Sequence, residues 1–173
     1  MGEIIVGVDG SDGSRTALRW AARTAAAQGA GLRAIAAWQY PSRAVTPGGP
    51  AKLPGPEEMD ERTCDDLRAV VREELDADAD RVEVEAGRGP AAAVLLTAAA
   101  RPGTNMLVVG ARGLGGFAGL LLGSVSQECV EHSPCPVVVL RGEPDRSDGP
   151  IVTGLDGSEG ATRALDWAID LAE

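Results

Sequence analysis

The chain has 173 residues, and its 16 lysines and arginines against 26 aspartates and glutamates give a formal charge of −10. That balance excludes a general nucleic-acid binder, because a phosphate backbone is gripped by clustered cations. Cys64, Cys129 and Cys135 lack CxxC spacing and His132 is the single histidine, so neither a disulfide framework nor a zinc site is indicated; the length suits one independent domain and a remainder.

The opening MGEIIVGVDGSDGS carries no basic region and no apolar stretch of signal-peptide length. The apolar segments, such as 91–100, fall short of the roughly 20 residues a membrane helix needs, so the expectation is a cytoplasmic protein with no membrane contact. Glu3 to Asp9 reads as a strand, apolar nearly throughout as befits a parallel strand covered on both faces. Ser11 or Ser14 then caps a helix in which Ala17, Leu18, Ala21, Ala22 and Ala25 keep helical spacing, with Gly29 and Gly31 as its stop. Leu32 to Tyr40 is the second strand. Pro41 to Pro56, rich in proline and glycine, reads as a loop over a site or a disordered excursion.

Glu57 to Ala77 is an acidic helix, Arg81 to Ala86 alternates as an edge strand does, and Pro90 starts a helix reaching Arg101. Asn105 to Gly110 is a buried strand. A glycine-rich loop leads to a helix from Gly123 to His132, and Pro136 to Arg141 is the last strand. The alternation βαβαβαβαβ predicts an α/β fold, a doubly wound, Rossmann-like sheet of five parallel strands with helices on both faces. Ligands of such sheets sit beyond the carboxyl ends of the strands where the winding reverses, and Asp9 and Gly110 end two strands that flank such a crevice.

Residues 4–26 align without gaps on residues 151–173, Asp9 meeting Asp156 and Trp20 meeting Trp167. Between the copies, 142–150 is a polar linker. The second copy supplies a strand and a helix, whose apolar stripe of Leu165, Ala168, Ile169 and Ala172 is expected to dock on the complete domain or on a neighbouring chain, the alternative being a mobile segment.

The strongest motif is GARGLGGFAGLLLGS, from Gly110 to Ser124. Its glycines allow close backbone approach and a concavity of N–H groups, and Gly123 with Ser124 opens a helix whose positive end suits a phosphate. The alternative is a flexible connection in which Ser124 merely caps its helix. A P-loop is excluded, since the one lysine, Lys52, lies in the proline-rich segment. Gly113, Gly115 and Ala118 match GxGxxA, yet the loop runs on to Gly123 and no acidic strand end follows at the required distance.

In these residues the chain resembles the universal stress protein family, ATP-binding subgroup. The family signature G-x2-G-x9-G-[ST] is present as Gly110, Gly113, Gly123 and Ser124, and the likeness extends through IIVGVDGS, VVGARG, GSVS and HSPCPVVVLR over residues 3–141. The resemblance implies a universal stress protein domain over 1–141 with an adenine nucleotide alpha hydrolase-like fold, and the start of an incomplete second repeat over 151–173. It implies ATP, with Mg²⁺ or Mn²⁺, as ligand: Asp9 at the adenosine end, the Ala37 backbone at the adenine, and the glycines and Ser124 at ribose and phosphates. Arg112, inside the loop, either reaches a phosphate or is a solvated surface arginine. Asp9 has a second reading as a turn residue capping the next helix. Ala36 and Asn105 stand where the family often has His and Asp.

His132 falls at the far end of its helix from the phosphate loop and reads as a C-terminal cap, and Cys129 and Cys135 read as buried apolar residues. With no evident general base, the reading is a nucleotide-sensing regulator of the stress response with little or no turnover, not an enzyme. The alternatives are a slow ATP hydrolase or phosphotransferase, and a dimeric scaffold with a degenerate site. The valine run at 136–140 would be an exposed edge, and the resemblance implies a homodimer through it.

Overall fold

The computed structural model describes residues 2–40, 45–46, 49–50, 53–114, 121–142 and 150–172. In chain order the elements are β1 (Glu3–Gly7), α1 (Asp12–Gln28), β2 (Gly31–Trp38), the two-residue strands β3 (Val45–Thr46) and β4 (Gly49–Pro50), α2 (Pro56–Leu75), a 3-10 helix (Asp76–Arg81), β5 (Val82–Arg88), α3 (Ala91–Ala99), β6 (Thr104–Gly110), α4 (Ser124–His132), β7 (Val137–Leu140) and α5 (Glu159–Ala172). The main sheet runs β5-β2-β1-β6-β7, and all four pairings are parallel. The chain therefore winds outward from β1 through β2 to β5, crosses back, and winds the other way through β6 to β7. This is the doubly wound α/β sheet that the alternation predicts, and the reversal falls between β1 and β6.

Local chemistry sets the boundaries. Ser11 is the N-cap of α1 and accepts from the Ser14 N–H; Gly29, at φ 61°, ends the helix in a left-handed turn. Of the two serines, Ser11 is thus the cap. Pro56 starts α2 as its first-turn proline, one residue before the expected start at Glu57, and the helix stops at Leu75. Beyond it the 3-10 turn takes over at Asp76, whose φ of 48° leaves the right-handed helical region and ends the α-helix. Within the expected Pro41 to Pro56 loop, β3 and β4 form an antiparallel pair; residues 41–44, 47–48 and 51–52 of that segment, and 143–149 of the linker, lie outside the described residues.

The core needs almost no aromatic volume. Ile4, Ile5 and Val6 of β1, Leu107 and Val108 of β6, and Ala17, Leu18 and Ala21 of α1 are wholly buried, so both central strands are covered on both faces as their continuous apolar sequence requires. Alanines on the inner face of α1 let the helix lie close to the sheet.

At the amino end of the sheet Arg33 bridges Glu3 and Glu83 at 3.0 and 2.6 Å, and Arg101 grips Glu85 in a two-pronged pair at 2.7 and 2.6 Å. The Arg101 guanidinium holds the Glu85 carboxyl below its ordinary value, against the opposing effect of burial. A carboxylate depressed in this way stabilises the fold above its unfolded pKa and loses that contribution as pH falls through the folded one. Glu85→Gln should thus lower stability at pH 7 by about 1 kcal/mol or less, as partly exposed pairs do, with the gap to the unmodified protein closing below about pH 4; urea titrations at the two pH values measure it.

The chain divides into two units, residues 1–143 and 144–173. In the second, α5 begins at Glu159, the counterpart of Asp12, where α1 begins. The turn before it repeats as well: Gly10 and Gly157 both sit at φ +82°, Ser11 N–H donates to Asp9 Oδ1 at 3.0 Å and Ser158 N–H to Asp156 Oδ1 at 2.9 Å. The expected strand at 151–155 is not formed. These residues join no ladder, and a parallel strand exists only as part of one.

Candidate functional site

A cleft of about 490 Å³ opens at the carboxyl ends of β1, β2 and β6, beside the reversal of winding. Asp9, Ala37, Gly110, Arg112, Gly113, Gly123 and Ser124, the residues singled out in the sequence, all line it. Its walls are apolar and come from Val8, Ile35, Ala91, Leu95, Val109 and Val125. Of these, Val8, Val109 and Val125 lie within the IIVGVDGS, VVGARG and GSVS stretches, whereas Ile35 and Leu95 are indistinguishable in sequence from ordinary core positions, where the available signal is that Ala91 and Leu95 share one face of α3 at i, i+4.

The glycine loop closes on itself. The Ala111 carbonyl accepts from the Gly123 N–H at 2.7 Å and from the Ser126 hydroxyl at 3.0 Å, while the Ala111 N–H donates to Leu140 O at 2.7 Å. The loop's exit is thereby pinned to the first turn of α4 and to β7; residues 115–120 within it lie outside the described residues. Gly123, not Ser124, is the N-cap of α4, and it brings no side-chain cap bond. The first N–H groups of that helix have no intrahelical acceptors and open on the cleft where Ser124, Val125 and Ser126 line it. Ser124 is the first helical residue, so the capping reading of its hydroxyl does not hold.

Across the cleft, β2 presents a paired donor and acceptor. The Ile35 carbonyl accepts from the Val8 N–H at 2.9 Å, and the ladder with β1 ends at Gly7 opposite Ile35. Alternate residues of a strand direct their backbone groups to the same neighbour, so the N–H and C=O of Ala37 face the side where β1 has already ended. They project into the cleft, with no strand partner on that side among the described residues.

Asp9 is exposed at the mouth. Oδ1 accepts from the Ser11 N–H and hydroxyl at 3.0 and 2.5 Å, and Oδ2 accepts from the Leu114 N–H at 3.1 Å. Partial burial raises its pKa, but the bonds from Ser11, Ser14 and Leu114 outweigh this and hold it below the ordinary carboxylate value. The carboxyl is therefore ionised at neutral pH. Arg112 lines the cleft and an adjoining groove shared with Arg15, Arg19 and Arg141.

His132 sits at the opposite end of α4, where Nδ1 donates to the Glu128 carbonyl at 3.1 Å; it caps the helix and stands apart from the cleft. Cys129 is buried, which pushes its thiol up to about 11. Among the described residues no three His, Cys, Asp or Glu side chains gather as a metal site, and no helix is long and apolar enough to cross a membrane.

Comparison with known proteins gives one family: the universal stress protein family matches residues 1–141. Universal stress protein Rv2623 of Mycobacterium tuberculosis is 34% identical over 175 aligned residues, which take in 98% of this chain and 59% of the relative. The chain thus spans less than two thirds of that relative's length. Among solved structures, universal stress protein UspA from Lactobacillus plantarum superimposes with a TM-score of 0.64 at 25% identity, over 81% of this chain and 97% of that one. A universal stress protein in complex with cAMP matches with a TM-score of 0.58 at 27% identity, over the same shares of the two chains.

Proposed function

The chain belongs to the universal stress protein family, and we propose that it is an ATP-binding member that holds its nucleotide as a regulatory signal and turns it over slowly or not at all. The observation that carries this reading is the pairing of two backbone features across one cleft. The Ala37 N–H and C=O offer one donor and one acceptor side by side, which suits the adenine edge with its ring nitrogen acceptor and amino donor. Opposite them, the uncapped start of α4 offers N–H groups and a positive dipole end to phosphates, so a polyanion is accommodated by a protein of charge −10. Apolar walls between the two suit the flat faces of a base. The related protein solved with cAMP supports an adenine nucleotide as the ligand class.

Mg²⁺ or Mn²⁺ enters in this reading with the nucleotide, held mainly by its phosphates as such ions commonly are, and the Ser124 hydroxyl is the side chain placed to take part. The absence of turnover follows from the side chains at hand. The Asp9 carboxylate is bonded to Ser11 and Leu114, and His132 is turned to its own helix end, so among the described residues that line the cleft no carboxylate or imidazole is left to activate water. We place the protein in the cytoplasm as a homodimer paired along β7, with 151–173 as the start of a second repeat.

Calorimetric titration of the full chain with ATP and Mg²⁺ tests the reading. One nucleotide per chain is expected, with phosphate release far slower than about 1 per second, and a dimer by light scattering of the same sample. Ser124→Ala should weaken ATP by about tenfold, the worth of a hydrogen bond to a charged group, without moving the melting temperature. No binding of any adenine nucleotide would overturn the assignment, and turnover at ordinary enzyme rates would favour the hydrolase.

A further inference from the structure

The side chain of Leu114 is 77% exposed, so apolar packing does not hold this stretch of the loop against the body of the domain. A hydrogen bond does: the Leu114 N–H donates to Asp9 Oδ2 at 3.1 Å, joining positions 105 apart in the chain. Gly113 lies directly against the same carboxylate: a Cβ at that position would stand 2.2 Å from Asp9 Oδ2. No side chain can occupy that space while the carboxylate is there. The glycine is therefore a requirement set by Asp9, over and above any set by a ligand.

The repeated segment separates this role from that of a turn residue. Asp156, Gly157 and Ser158 reproduce the turn of Asp9, Gly10 and Ser11, with the serine N–H bonded to the aspartate at 2.9 Å and the glycine at the same φ. The local bonds thus need nothing beyond an Asp-Gly-Ser sequence before a helix. The bond to Leu114 is the part that uses the loop.

We propose that Asp9 is a positioning residue, a latch whose carboxylate seats the Arg112–Leu114 backbone at the mouth of the cleft, and that Gly113 is glycine in order to admit that carboxylate. The bonds from the Ser11 N–H, the Ser11 hydroxyl and the Leu114 N–H fix the carboxylate in place. The consequence for affinity rests on the nucleotide reading of the cleft; the latch itself does not.

The test is a mutant cycle on the full chain, with exchange of the Leu114 amide followed by NMR in the nucleotide-free protein and ATP affinity measured alongside. Asp9→Ala should speed Leu114 exchange by about tenfold and leave the slow amides of β1 and β6 unchanged, and Asp9→Asn, which keeps one carbonyl oxygen, should restore part of the protection. Gly113→Ala should have the same effect alone, and none further when added to Asp9→Ala, because the obstacle to the Cβ is then gone. ATP affinity should follow the same non-additive pattern. Unchanged Leu114 exchange in Asp9→Ala would overturn the latch, as would additive effects of the two substitutions, which would mean that Gly113 answers to the ligand alone. If the unmodified chain binds no adenine nucleotide, the functional reading fails while the exchange cycle still decides the latch.

Discussion

Gly110→Ala is expected to destabilise the fold by about 3 kcal/mol, the upper end of what overpacking costs, and to lower the melting temperature by roughly 6–12 °C for a domain of this size. A Cβ at Gly110 would stand 2.6 Å from Gly13 C, 2.8 Å from Gly13 O and 2.9 Å from Ser14 N. All three are backbone atoms, and they belong to the first turn of α1, which is pinned by its Ser11 cap and by the buried Ala17, Leu18 and Ala21. A side chain could rotate away; this backbone cannot. The approach is also close seen from α1, where a Cβ at Gly13 would meet Arg112 O at 2.7 Å and Gly110 Cα at 3.8 Å. Gly123→Ala is the control from the same signature. Its Cβ would find nothing nearer than 3.5 Å, and its stability should stay within about 1 kcal/mol of the unmodified protein. Equal melting temperatures for Gly110→Ala and Gly123→Ala would show that β6 and α1 do not meet so closely.

The three glycines of the signature, alike in sequence, and its serine thus do different things. Gly110 lets two backbones touch, Gly113 admits a carboxylate, Gly123 caps α4 without a side chain, and Ser124 begins the helix. Their spacing was legible because it follows from a local path, from a strand end through a loop to a helix start. What each glycine faces was not, since Gly13, Asp9 and Ala111 reach them through the tertiary fold. Asp9 shows the same limit: its turn with Gly10 and Ser11 is local and could be read, whereas its bond to Leu114 spans most of the domain. Most strands were legible from continuous apolar runs, and the doubly wound parallel arrangement followed from their alternation with helices. The end of α2 was misplaced by two residues because Asp and Ala alternate there without a breaker, and β3 with β4 is too short a ladder to leave a period-two signal. The apolar cleft walls escaped notice for a simpler reason: a residue that lines a cleft from below has the same hydrophobic spacing as one that fills the core.

That shared identity makes Ile5→Ala the most informative core substitution. Ile5 is wholly buried in a cluster with Ile35, Leu95, Leu107, Val109 and Cys129, closed on the helix side by Ala92, Ala98 and Ala99. It sits in the central strand, paired with Arg33 on one side and Leu107 on the other, so the ladders on both edges keep the backbone from closing the gap. Three of the helical residues in its cluster, Ala92, Ala98 and Ala99, have no rotamer with which to refill it. The loss should therefore lie near the upper part of the range for such truncations, about 4 kcal/mol, against a total of roughly 5–15 kcal/mol for an ordinary domain. Ile5→Val should cost only about 0.5–1.5 kcal/mol, and urea titration of both variants gives the graded series. Ile35, Leu95 and Val109 belong to this cluster and also wall the cleft, so the void lies behind the ligand site and not within it. A nucleotide that binds only the folded chain adds about 2.7 kcal/mol at a hundredfold excess over its Kd. ATP at that excess should hence recover more than half of the stability lost in Ile5→Ala, and a variant that ATP fails to stabilise would show that the packing behind the cleft and the binding in front of it are not separable.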